Sequence, residues 1–178
     1  MQLLSSCISN GKTDEALKII SDISSHIDSD TEIKKYSNNM MINAVVSYYA
    51  GKCRKEGISF SHDIRIKEPL PCDDMSFAVV ISNGLENAFN ACIRMEESSA
   101  ERFITMTCLQ QNDRLFLEIK NSFSGTISFD KNGKLPVSMD EDHGIGTRSI
   151  SSFADKNNAI LDYDADDGIF AMHLLLYI

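Results

Sequence analysis

No basic run, no paired-cysteine motif and no long apolar stretch occurs in this chain, and each absence removes a class of function. Lys+Arg of 17 against Asp+Glu of 26 gives a formal net charge of -9. An acidic chain with scattered cations has no electrostatic footprint for nucleic acid or an anionic membrane, so neither is expected as a partner. The five cysteines, Cys7, Cys53, Cys72, Cys92 and Cys108, form no Cys-x-x-Cys pair, and several sit in apolar patterns. Buried free thiols in a reducing compartment are expected, rather than disulfides or zinc. A signal peptide and an apolar run of transmembrane length are both missing, so the residues present read as soluble and cytoplasmic. There are no internal repeats or low-complexity tracts. What remains is 178 residues, 43% apolar and 24% charged, enough for one globular domain with an accessory element.

The first third reads as helical. Asn10-Gly11-Lys12-Thr13 is a turn signal, and Ala16, Leu17, Ile20, Ile23 and Ile27 follow as an apolar stripe. A second helix is expected over about 38–56, ended by Gly57. The pattern then changes. Residues 58–66 alternate strictly between apolar and polar, as a half-buried strand does, until Pro69 and Pro71. Asp73 or Asp74 caps a long helix to about Arg94. Two strands (103–109 and 115–121), a long aperiodic stretch (122–143), a helix (144 to about 156) and two strands (160–164 and 169–177) complete the chain. The expected fold is α+β, a two-layer sandwich with helices on one face of a mixed sheet.

The long helix carries an oddity. Asn83, Asn87 and Asn90, with Arg94, fall at spacings of four, three and four on one side. Asparagine is a poor helix former because its amide competes for backbone hydrogen bonds. A solvated face would ordinarily use Glu, Lys and Gln, so contact with a ligand is the favoured reading. The amide oxygen is a neutral hard donor that suits Mg2+ when phosphate oxygens complete the octahedron. On the opposite side Ala78, Ile81, Leu85, Ala88 and Cys92 form an apolar row, flanked by Phe89 and Ile93. Later, Gly144 and Gly146 flank Ile145 and open a helix through Thr147, Arg148 and Ser149. Glycines let a backbone approach phosphate, and a helix N-terminus offers unpaired N–H groups with a favourable dipole.

Together these segments resemble the N box and second glycine box of the GHKL ATP-binding fold, shared by histidine kinases, gyrase, Hsp90 and MutL. Ile119-Lys120-Asn121-Ser122 and the string from His143 to Ile150 resemble, more closely, sensor histidine kinases of the AgrC/VirS-like quorum-sensing type. The lead-in from Asn43 to Lys52, with Gly57-Ile58, Leu70-Pro71 and Asp73-Asp74, is similar to that family too.

The resemblance implies roles. Asn87 matches the Mg2+-ligating asparagine, and Asn83 the polar residue one turn earlier that lines the phosphate site. Asn121 takes the place of the aspartate that binds the adenine amino group. Gly144, Ile145, Gly146 and Thr147 match the end of the ATP lid, with 122–143 as the lid itself. Asn90 and His143 are further candidate phosphate contacts, though His143 serves equally as a capping residue. The usual Asp-x-Gly-x-Gly box is reduced to Asn121 through Gly125, which loses the charge at the adenine position. Gyrase-type members carry a glutamate base where this chain has Asn83, so transfer to a nucleophile supplied elsewhere is expected over hydrolysis.

A histidine kinase also needs a phosphorylatable histidine on a dimerisation helix. His62 lies on a strand, His26 precedes Ile27, and His173 sits in the last strand. The resemblance therefore implies that the acceptor lies upstream of Met1. Residues 1–57 would be the remnant of the dimerisation region and 58–178 the ATP-binding catalytic domain. The expected setting is a membrane-anchored receptor with a cytoplasmic kinase, dimeric at full length and signalling to a response regulator. The fragment itself would be a monomer or weak dimer. Two other readings stay open: a degenerate regulatory module that binds a protein, and a stand-alone anti-sigma-type serine kinase.

Overall fold

The structure, a computed structural model, describes residues 35–95, 101–129, 136–137 and 144–177. The expected helix over 13–27 and the candidate residue His143 lie outside them.

Three helices form one layer. Helix α1 (Met40–Lys55) begins where Asn39 turns its side chain back to accept from the Ile42 N–H at 3.1 Å. The same amide donates to Asp74 at 2.8 Å, which ties the start of α1 to the start of α2 (Asp74–Ile93). Asp73 caps α2, its Oδ1 accepting from the Ser76 N–H at 2.8 Å and the Ser76 hydroxyl at 2.6 Å. These hydrogen bonds hold the Asp73 carboxyl below its ordinary pKa. A lowered folded-state pKa contributes stability above the unfolded value, lost as pH falls through the folded one. Asp73→Ala should therefore cost about 1 kcal/mol at neutral pH. The gap to the parent should narrow as the pH falls below the ordinary aspartate range, in thermal melts at neutral and acid pH.

The second layer is a five-stranded mixed sheet ordered β1-β2-β3-β7-β6. Strand β1 (Ser59–Arg65) pairs in parallel with β2 (Phe103–Gln111), with α2 as part of the crossover between them. Strands β3 (Arg114–Ser122), β7 (Ile169–Tyr177) and β6 (Ile160–Asp166) add antiparallel. A short pair, β4 (Ser128–Phe129) with β5 (Pro136–Val137), lies within the stretch expected to be a plain loop. Helix α3 (Gly144–Lys156) precedes β6. The helices cover one face of the sheet, the α+β two-layer arrangement expected. Among the described residues no helix is long and apolar enough to cross a membrane.

The core lies between the layers. Ile42, Val46, Tyr49 and Cys53 of α1 meet Phe77, Ile81, Leu85 and Cys92 of α2 and the alternate residues Ile104, Met106, Leu117, Ile119, Met172 and Leu174 of the sheet. Phe89 is buried as expected, but Ile93, placed beside the apolar row by periodicity, is exposed in the last residue of α2. The hairpins also close more tightly than the sequence pattern implies. Positive φ at Asn112, and at Asp167 and Gly168, lets β2–β3 and β6–β7 turn on two residues, lengthening both pairs of strands. Cys53, Cys92 and Cys108 are buried free thiols and Cys72 is half-buried.

Candidate functional site

The three asparagines of α2 share one side of the helix but meet different surroundings. Asn83 is only 6% exposed, and its Nδ2 is buried without a hydrogen-bond partner. Leaving such a donor unpaired costs about 1–3 kcal/mol, and no described residue supplies the acceptor. Its neighbour is the start of α3. A Cβ placed on Gly146 would stand 3.7 Å from Asn83 Cβ and Cγ and 3.8 Å from its Oδ1. The two segments singled out in the sequence, sixty residues apart in the numbering, thus touch in space.

Around this contact lie groups that could receive an anion. Gly144, Ile145, Gly146 and Thr147 form the first turn of α3, where unpaired N–H groups and the helix dipole favour negative charge. Thr147 and Ser149 are half-buried and Arg148 is exposed. Asn87 and Asn90 are half-buried, and neither side chain hydrogen-bonds to a described residue. Their amides are therefore available to a ligand. Among the described residues no cluster of three His, Cys, Asp or Glu side chains could hold a metal. A divalent ion here would need amide oxygen together with oxygens of the ligand, a pattern typical of Mg2+ bound with phosphates.

Asn121 stands at the end of β3, 2% exposed. Its Nδ2 donates to the Ser122 carbonyl at 2.9 Å, and no described residue donates to its Oδ1. The same carbonyl accepts from Cys92 Sγ at 3.5 Å, which fixes the strand end to α2. Burial pushes the Cys92 thiol up, opposed by its hydrogen bonds, so it remains a neutral donor. Gly125 lies beyond the strand, exposed, at φ 90 with nothing within 4 Å of where a Cβ would point. It serves the turn, and no described contact brings it against the asparagines.

Two residues not singled out from the sequence stand beside Asn121. Phe170 is its register partner on β7, and the Tyr163 ring stacks on Phe170 at 5.8 Å with 27° between planes. The alternation of the last strands carried the only signal for them, and it reads simply as core.

A family model described as GHKL domain matches residues 73–177, which contain α2, β3, the glycine turn and the last two strands. The chain belongs to the GHKL domain family. Solved structures agree on the fold. The catalytic domain of histidine kinase ThkA, in a nucleotide-free form, superposes with a TM-score of 0.61 at 16% identity, over 78% of this chain and 92% of that one. The mycobacterial sensor histidine kinase MprB gives 0.56 at 17%, over 77% and 93%. The histidine kinase domain of a blue-light-activated kinase from Erythrobacter litoralis gives 0.60 at 11%, over 92% and 71%. No curated protein matches the chain. The sheet and helices thus have the GHKL fold that these histidine-kinase domains share.

Proposed function

We propose that this GHKL domain is the ATP-binding catalytic part of a two-component sensor histidine kinase, of the AgrC/VirS-like quorum-sensing type. It would pass the γ-phosphoryl of ATP to a histidine outside the described residues. The observation that carries this reading is Asn83, an orphaned buried amide closed over by the glycine turn of α3. A donor without an acceptor, facing a helix N-terminus, suits a phosphate tail.

Each residue then has a distinct task. Asn83 Nδ2 donates to a phosphate oxygen. The amides of Gly144 and Gly146, with the Thr147 hydroxyl, hold the phosphate tail. Asn87 Oδ1 would ligate Mg2+, and Asn90 lies one turn further on as an additional polar contact. When bound, Mg2+ neutralises charge on the phosphate oxygens as the leaving group departs. Asn121 offers its oxygen to the adenine amino group. The protein contributes positioning and fixed dipoles rather than covalent chemistry. With an amide at Asn83, no carboxylate there takes a proton from water, so hydrolysis stays slow while transfer to a better nucleophile proceeds.

The described histidines are poor acceptors. His62 packs edge-on to Tyr36 at 4.8 Å, and His173 Nδ1 lies 3.3 Å from Glu118 on the strand pair β3–β7. Neither is on a helix. We further propose that the acceptor helix belongs to a dimeric, membrane-anchored receptor and that a response regulator receives the phosphoryl group. The test is the chemistry of the label. The full receptor given γ-labelled ATP and Mg2+ should form a phosphoramidate, labile in acid and stable in alkali. Acid-stable label on a serine of a partner would contradict the proposal and favour an anti-sigma-type kinase.

A further inference from the structure

The three helices cover one face of the sheet, and on the other face the strand register lines up an apolar row. Leu109 is the register partner of Phe116, Phe116 of Leu175, and Leu175 of Ile160. One row thus crosses β2, β3, β7 and β6 without a polar residue. Arg65 on β1 ends it at the sheet edge, its guanidinium donating to Asp63 at 2.9 and 2.7 Å. Leu115 and Leu117 are buried on either side of Phe116, as Leu174 and Leu176 are around Leu175, so the alternation turns Phe116 and Leu175 away from the core. Leu109, Phe116 and Leu175 are half-buried, and Ile160 is 54% exposed. Single exposed apolar side chains are ordinary on a protein surface, but a contiguous row across four strands marks an interaction surface.

The residues flanking the row differ in charge. On one side lie Arg114 and its register partner Tyr177, the guanidinium carbon 5.5 Å from the ring centroid. On the other lie Glu118 and its register partner His173. The Glu118 carboxylate accepts from Lys120 Nζ at 3.0 Å and lies 3.3 Å from His173 Nδ1. The His173 ring stacks on Phe116 at 6.3 Å with 22° between planes. On this face β3 therefore presents a cation, an aromatic ring and an anion in order, at 114, 116 and 118.

That order is complementary to itself. We infer that this face docks a second copy of the chain, apolar row on apolar row, about a two-fold axis that runs along the row. A two-fold relation uses the same patch on both partners. About this axis Phe116 meets Phe116 of the second copy, and Arg114 of each copy comes over Glu118 of the other. Turning the second copy about the strand direction instead would set Arg114 on Arg114 and Glu118 on Glu118, which like-charge repulsion disfavours. The apolar row supplies the affinity, since exposed ion pairs add little, and the charges fix the orientation. The patch is narrow, at the small end of specific interfaces, so the dimer is a weak one. The nucleotide site proposed above lies on the other face, and this inference does not depend on it.

Sedimentation equilibrium of the whole chain, from micromolar to millimolar concentration, tests the surface. The parent should pass from monomer to dimer across that range. Leu175→Asp should stay monomeric throughout, with circular dichroism as the control for folding. Arg114→Glu and Glu118→Arg, each alone, should weaken the dimer by about tenfold, because each sets like charges across the axis twice. An equimolar mixture of these two variants should recover dimer at the parent's concentration, because each copy then faces the charge opposite to its own. Should Leu175→Asp fail to fold, the mixture decides. A parent that is monomeric at millimolar concentration, as when residues of the same chain cover the face, overturns the inference. So does a folded Leu175→Asp that dimerises like the parent, or a mixture no tighter than either variant alone.

Discussion

Asn87→Ala should lose roughly 100-fold of the affinity for Mg2+-bound ATP analogue, as expected when a ligand contact to a charged group is removed from a partly buried site. The fold should survive. Asn87 is half-buried and its side chain bonds to no described residue, so its loss strands no partner. Alanine is also the better helix former at that position. The defect should appear chiefly with Mg2+ present, because the role proposed for the amide oxygen is to ligate the ion. In EDTA the parent and variant should bind the analogue similarly and weakly. Calorimetry in the two conditions checks this, with far-UV circular dichroism as the control for folding. An equal loss in both would assign Asn87 to direct phosphate contact instead.

Gly84→Val should destabilise the domain by about 3 kcal/mol, a large part of the 5–15 kcal/mol that holds a typical domain together. At Gly84 α2 lies close against the sheet. A Cβ there would stand 2.6 Å from Ile119 Cδ1 and 3.1 Å from Met172 Cε. Both atoms end flexible side chains, so Gly84→Ala can be absorbed by small rotations. It also gains helix propensity of about 1 kcal/mol, leaving it near neutral. Valine adds two further methyl groups that the gap cannot take. Urea denaturation should therefore show the midpoint nearly unchanged for Gly84→Ala and far lower for Gly84→Val. Gly84 sits next to Asn83, so a forced shift of α2 would also disturb the contact with Gly146.

How much of this was legible depends on how local each signal is. The alternation of 58–66, the asparagine spacing on α2 and the Gly144–Gly146 turn are written in adjacent residues, and their elements formed nearly at the expected bounds. The turn ends were less readable, because two-residue hairpins depend on positive φ at Asn112 and Asp167, conformations that the sequence permits without requiring. Ile93 misled for a related reason: its helix ends there, so the periodicity no longer points it at the core. What no local pattern contains is the unpaired state of Asn83 Nδ2. That follows only when α3 folds back to place Gly146 against it. The Phe170–Tyr163 stack joins residues close in sequence, but it too depends on the β6–β7 register. The link from Asn39 to Asp74, which aligns the two helix starts, joins positions thirty-five residues apart.

The asparagine side of α2 and the first turn of α3 are proposed to form one nucleotide site, with its base end at Asn121. Backbone amide chemical shifts recorded while Mg2+ and the imido analogue of ATP are added test it most directly. Perturbations should concentrate at Asn83, Asn87, Gly146, Asn121 and Phe170, with Ser61, Thr105 and His173 on the opposite face of the sheet unmoved. Perturbations centred on that opposite face, or none at saturating analogue, would contradict it.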